Sequence, residues 1–74
     1  MSPYIHIEEY RVGHRLAVDT DLFMSTGGQT AFETGKEYPV KRVYGTGIGV
    51  ASEVSPSHFI AYDHSWYPMF RRVL

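Results

Sequence analysis

The chain has no cysteine, which excludes disulfides and thiolate metal sites and fits a reducing compartment, the cytoplasm by default. It has almost no net charge: seven Lys and Arg stand against eight Asp and Glu, a formal charge of −1. No global field therefore draws it onto a phosphate backbone, although local patches remain open to it. It lacks any apolar run near the roughly 20 residues of a membrane span, and Met1 through His6 shows neither a basic start nor a continuous apolar stretch. The expectation is a mature, soluble chain. There is no internal repeat, linker or low-complexity tract, so its 74 residues read as one domain, 1–74, with residues 1–9 as an N-terminal arm or an extra strand.

What it does have is aromatic side chains: one Trp, six Tyr and four Phe. A domain of this size buries only about 60% of its unfolded surface, and each ring covers roughly 150–250 Å², so the rings have to form much of the core. The chain is organised around Gly35-Lys36-Glu37-Tyr38-Pro39-Val40-Lys41-Arg42-Val43-Tyr44. Tyr38 and Val40 alternate with Pro39 and Lys41 as in a half-buried strand. Val43 then follows Val40 by three, so both face one core only if a bulge inserts a residue at Lys41-Arg42. A bulged strand bends, as a very small antiparallel barrel requires.

The rest of the chain is also dominated by period two. Residues 4–8 read as a short strand with Ile5 and Ile7 inward, and residues 10–18 as the first firm strand, with Leu16 and Val18 on one face and a turn at Gly13. The turn formers in residues 19–36 predict a long loop pinned by Leu22, Phe23, Met24 and Phe32. A single helical turn at Thr20–Met24, capped by Asp19 or Thr20, is the competing reading. Gly45-Thr46-Gly47-Ile48-Gly49 suggests a turn into a strand at Ile48–Val54, and His58–Asp63 a further strand. His64–Pro68 suggests a turn or one 3₁₀ turn, and residues 69–74 a last strand. The predicted core is Val12, Leu16, Val18, Tyr38, Val40, Val43, Val50, Ile60, Phe70 and Val73.

Catalytic and cofactor chemistry finds little purchase. Asp63-His64-Ser65 has the residue types of a hydrolase triad, but consecutive residues cannot converge as a triad must. Four histidines invite a metal, yet no pair has helical i, i+4 spacing, and adjacent Asp63 and His64 would face opposite sides of a strand. Gly45-x-Gly47-x-Gly49 precedes no helix pattern whose N-terminus would hold a phosphate. The expectation is a non-enzyme without cofactor or metal. Tyr62, Trp66, Tyr67 and Phe70 form the densest aromatic group, with Trp66 and Phe70 expected to be structural and Tyr62 or Tyr67 more exposed. Arg11, Arg15, Lys41, Arg42, Arg71 and Arg72 are the basic clusters, which beside Tyr44 or Tyr67 would suit single-stranded nucleic acid.

Val12-Gly13, Gly35 through Val43, Trp66-Tyr67-Pro68-Met69-Phe70 and Val73 together resemble the small SH3-like β-barrels common among bacteriophage and bacterial proteins. The resemblance implies an all-β, SH3-like antiparallel barrel of five or six strands, a fold that docks extended peptides in aromatic grooves. Tyr44-Gly45-Thr46-Gly47-Ile48-Gly49-Val50 is similar to the His-Gly-Ile-Gly turn of Tudor-like RNA-polymerase-interacting domains. Thr46 replaces His here, and the motif follows the second strand rather than the first. Near-zero net charge and the lack of a convergent catalytic constellation leave a protein-binding module, a phage-type factor acting on a host machine, as the expectation, and the Tudor-like similarity implies bacterial RNA polymerase as its specific partner. A nucleic-acid-binding barrel is the alternative. The expected partner surface is the arm Tyr4, Ile5, His6 and Ile7, pairing as an added strand, together with Tyr62, Tyr67, Arg71 and Arg72.

Overall fold

Leu16 and Val18 of β1 (Arg15–Val18) point into the core with no exposed surface, as their alternation predicts. The computed structural model describes residues 10–73, so the expected strand at residues 4–8 lies outside the described residues. Six strands follow β1: β2 (Leu22–Phe23), β3 (Thr30–Phe32), β4 (Tyr38–Val43), β5 (Gly47–Val50), β6 (His58–Ala61) and β7 (Phe70–Val73). A 3₁₀ turn at Tyr67–Met69, started by Pro68, leads into β7. The architecture is all-β and every pairing is antiparallel.

Five strands form one sheet in the order β6-β5-β4-β1-β7, and β2 pairs with β3 as a separate hairpin. The strands thus number seven rather than five or six, and the sheet has two ends rather than closing as a barrel: among the described residues, β6 and β7 pair only with β5 and β1. The expected bulge is present. Val40 pairs with Val50, Arg42 with Gly49 and Val43 with Ile48, so the register shifts between Val40 and Arg42. An extra residue on one strand bends and twists it.

The long loop is only partly a loop. Its turn formers concentrate at residues 25–28, where Gly27 and Gly28 adopt positive φ of 80° and 68°, and the Met24 amide donates to the Gln29 carbonyl at 2.7 Å. That turn closes the β2–β3 hairpin, and no helical turn forms at Thr20–Met24. Leu22 and Phe32 are buried pins and Met24 packs against the core, whereas Phe23 faces solvent.

Phe32 is fully buried and meets Tyr38, Trp66 and Phe70 edge to face, with ring centroids 5.0, 5.9 and 4.9 Å away. Such contacts add to area burial. Around it lie Leu16, Val18, Tyr38, Val40, Val50, Ile60 and Phe70, all predicted, and Tyr10, Leu22, Ala31 and Ile48, which were not. Two predicted core residues are corrected. Val12 is 64% exposed, because it occupies the turn before β1, where Gly13 has φ 97° and the His14 amide returns to the Arg11 carbonyl. Val43 is 46% exposed: it shares a face with buried Ile48 but is the last residue of β4, at the rim. Val73, the last residue of β7, is half-buried.

Gly47 is required by close approach. A Cβ there would overlap the Ile60 carbonyl oxygen and come within 2.8 Å of the Ala61 Cα, both backbone atoms of neighbouring β6.

Phe32→Ala is expected to cost about 3–5 kcal/mol, since it removes a fully enclosed ring. Val43→Ala, at the rim, should stay within about 0.5 kcal/mol of the parent. Urea denaturation of both variants measures the contrast; equal midpoints would place Phe32 outside the load of the core.

Candidate partner-binding surface

The 3₁₀ turn delivers Tyr67 directly ahead of β7, the terminal strand of the sheet. The Tyr67 ring lies 5.7 Å from the buried Tyr10 ring and 5.2 Å from Tyr62, almost perpendicular to the latter. Tyr10 also donates its hydroxyl to the Phe70 carbonyl at 3.4 Å, fixing this aromatic group to the first residue of β7. Tyr62 is the outer member, 43% exposed, and its hydroxyl donates to the Tyr44 carbonyl at 3.0 Å. Phe70 is core and Trp66 packs half-buried against it, as their expected structural role requires.

The two arginines are not equivalent. Arg71 pairs across the ladder with Ala17 and Arg72 with Leu16, so they lie on opposite faces of β7. The Arg71 Nε donates to the Asp19 carboxylate at 2.9 Å, an exposed pair of small energetic value. Arg72 is exposed and, among the described residues, makes no ion pair. The structure therefore joins Tyr62 to Tyr67 by ring contact but engages Arg71 elsewhere. Tyr4, Ile5, His6 and Ile7 lie outside the described residues. Tyr10 is the member of this surface that sequence reasoning missed, although it stands in the predicted strand 10–18 in phase with Leu16 and Val18.

Behind the aromatic group sits a second cluster. His58 on β6 lies between Phe32 and Trp66, at 5.7 Å from each ring, and Trp66 in turn meets His64 at 5.1 Å. The His58 Nδ1 is 3.0 Å from the Ser52 hydroxyl, a contact that has the look of a nucleophile and base. Ser52 Oγ also accepts the Val54 and Ser55 amides, both at 3.1 Å, so its lone pairs close the β5–β6 turn. Asp63, His64 and Ser65 lie exposed in the turn after β6. Among the described residues no group of three His, Asp or Glu is placed to hold a metal ion.

No protein-family model, curated protein or solved structure matches this chain.

Charge is segregated although the net is close to zero. Asp19, Asp21 and Glu33 line an open depression with Thr20, Phe23, Thr30 and Thr34 at the hairpin end. The Thr34 amide and hydroxyl both donate to Asp21, at 2.7 and 2.8 Å, and hold its carboxyl below the usual range. Next to it, the Tyr38 hydroxyl donates to Glu53 at 2.7 Å and accepts the Glu33 amide at 2.8 Å, while Lys36 reaches Glu53 at 3.2 Å. The Tyr38 hydrogen bond, then Lys36, depress Glu53. This network ties the hairpin to the β5–β6 turn, because the Glu53 amide also donates to the Ala31 carbonyl.

Burial, and secondarily the nearby His64, push the His58 imidazole below its ordinary value of 6.5. The fold thus favours neutral His58, and its contribution is complete above about pH 6.5. As pH falls from there through the lower folded value, the unfolded chain gains a proton the folded chain resists, and stability drops. Asp21 and Glu53, depressed below 3.8 and 4.5, act only at lower pH. Urea midpoints should therefore fall between pH 7 and 5 in the parent protein and fall less in His58→Gln; the same slope in both would show that another group titrates.

Proposed function

We propose that this chain is a non-enzymatic, SH3-like protein-binding module, a phage-type factor that acts on a host machine in the bacterial cytoplasm, with RNA polymerase as the partner. The observation that carries the reading is the exposed Tyr62 ring, braced by Tyr67 and Tyr10 where the chain enters β7, a strand at the end of the sheet. An edge strand presents backbone donors and acceptors to an added strand, and aromatic rings beside it supply affinity with little loss of side-chain entropy. The order of sequence signals behind the SH3-like resemblance supports the same reading. The choice of polymerase rests on the similarity of Tyr44–Val50 to the turn of Tudor-like polymerase-interacting domains; here this segment is the tight β4–β5 turn, in which the Tyr44 amide donates to the Gly47 carbonyl, followed by β5.

Tyr62 and Arg72 are the residues to test, because both are exposed, whereas Tyr67 is half-buried against Tyr10 and Arg71 is engaged by Asp19. The full chain should retain RNA polymerase from bacterial lysate and alter its transcription in vitro. Tyr62→Ala and Arg72→Ala, at unchanged thermal stability, should each weaken both effects by about fivefold or more, as interface anchors do. Purified polymerase that neither binds the chain nor responds to it would refute the partner.

A further inference from the structure

The face of the sheet turned away from the core carries a second group that the β7 surface does not use. Ile48 and Val50 are fully buried, so their ladder partners Val43 and Val40 lie on the core side. The two residues between them, Lys41 and Arg42, are consequently both turned outward by the bulge, and both are exposed. Arg42 pairs with Gly49, which pairs with Phe59, so these three form one row across the outer face. Tyr44 follows Arg42 by two. Its ring and that of Phe59 meet at 5.5 Å over the glycines, nearly perpendicular: a Cβ on Gly47 would come 2.8 Å from the Phe59 ring tip, and one on Gly49 would come 3.6 Å from the Tyr44 ring. The glycines make the space in which two large rings lie against a sheet, yet the rings remain 41% and 49% exposed.

Charge decides what such a face would accept. No acidic residue occurs from Tyr38 through Ser52 or from Val54 through Tyr62. Among the described residues, Lys41 and Arg42 make no ion pair, whereas Arg15, Lys36 and Arg71 are each paired with a carboxylate. The outer face of β4–β5–β6 therefore combines unneutralised cations with exposed rings on a chain of net charge −1. We propose that this face binds single-stranded nucleic acid, with bases stacking on Tyr44 and Phe59 and phosphates meeting Lys41 and Arg42. Rings accept any base, and two cations suit a short run of backbone rather than a duplex. The site lies on the outer face of β4–β5–β6 and adjoins the partner surface at Tyr62, whose hydroxyl donates to the Tyr44 carbonyl, but its cations and its Tyr44–Phe59 ring pair do not depend on the protein-partner reading.

The test uses the full chain and a fluorescein-labelled 12-nucleotide oligo-dT, followed by anisotropy at rising salt. Binding is expected with a Kd of about 10⁻⁴–10⁻⁶ M and a log–log salt slope near −1.4 for two phosphate contacts. Tyr44→Leu and Phe59→Leu keep an apolar cover over the glycines while removing the stacking face, so thermal stability should hold while affinity falls about fivefold or more for each. Lys41→Gln with Arg42→Gln should remove most of the salt dependence. No binding by the parent protein at low salt, Leu variants that bind as the parent does, or equal binding of a poly-glutamate peptide, the mark of an acidic protein ligand, would each overturn the proposal.

Discussion

The enclosure of Phe32 is the interaction on which the remaining structure depends. The sheet has two ends and leaves one side of its apolar residues uncovered; the β2–β3 hairpin covers them by inserting this ring against Tyr38 of β4, Phe70 of β7 and Trp66 ahead of the 3₁₀ turn. Tyr38 and the segment from Trp66 to Phe70 come from separate parts of the chain, so one side chain draws both to the hairpin. A domain this small has little other core to fall back on. The Tyr38–Glu53–Lys36 network and the Glu53 amide to Ala31 fasten the same hairpin from its polar side.

The bulge in β4 has consequences on both faces of the sheet. Inside, it lets Val40 and Val43 share the side of Val50 and Ile48. Outside, it sets two consecutive cations together next to a glycine lane that two rings cover. A regular strand would have put Lys41 and Arg42 on opposite faces. Asp19, Asp21 and Glu33 gather at the hairpin end, while Lys41 and Arg42 stand on the outer face of β4. Surfaces for a protein edge and for phosphate can thus coexist on 74 residues without one neutralising the other.

Period two made most of this architecture legible. The alternation in Leu16–Val18 and Tyr38–Val40 located β1 and β4, and its break at Lys41-Arg42 located the bulge. The hairpin was not legible, because β2 has only two residues and the turn formers of residues 25–28 dominate the segment's composition; Phe32 was seen as a pin but not as the centre. Val12 and Val43 show the limit of apolarity as a guide to burial, since position in a turn or at a strand end overrides it. Of the candidate surface, Tyr62, Tyr67 and β7 were visible as an aromatic group and a final strand. Tyr10 was not, and neither was the Tyr44–Phe59 pair, whose meeting depends on the β4–β6 spacing across β5, and spacing of that kind is set by tertiary structure.

Native-state hydrogen exchange of the Glu53 and Met24 amides, which donate to carbonyls of Ala31 and Gln29 in the hairpin, tests the central role of Phe32 most directly. If the hairpin is integral to the core, both protons exchange only through global unfolding, with the same opening free energy as the Ala51 amide that joins the end of β5 to β4. Exchange of Glu53 and Met24 through low-energy openings, while Ala51 stays protected, would mean that the hairpin opens independently and that the sheet is stable without it.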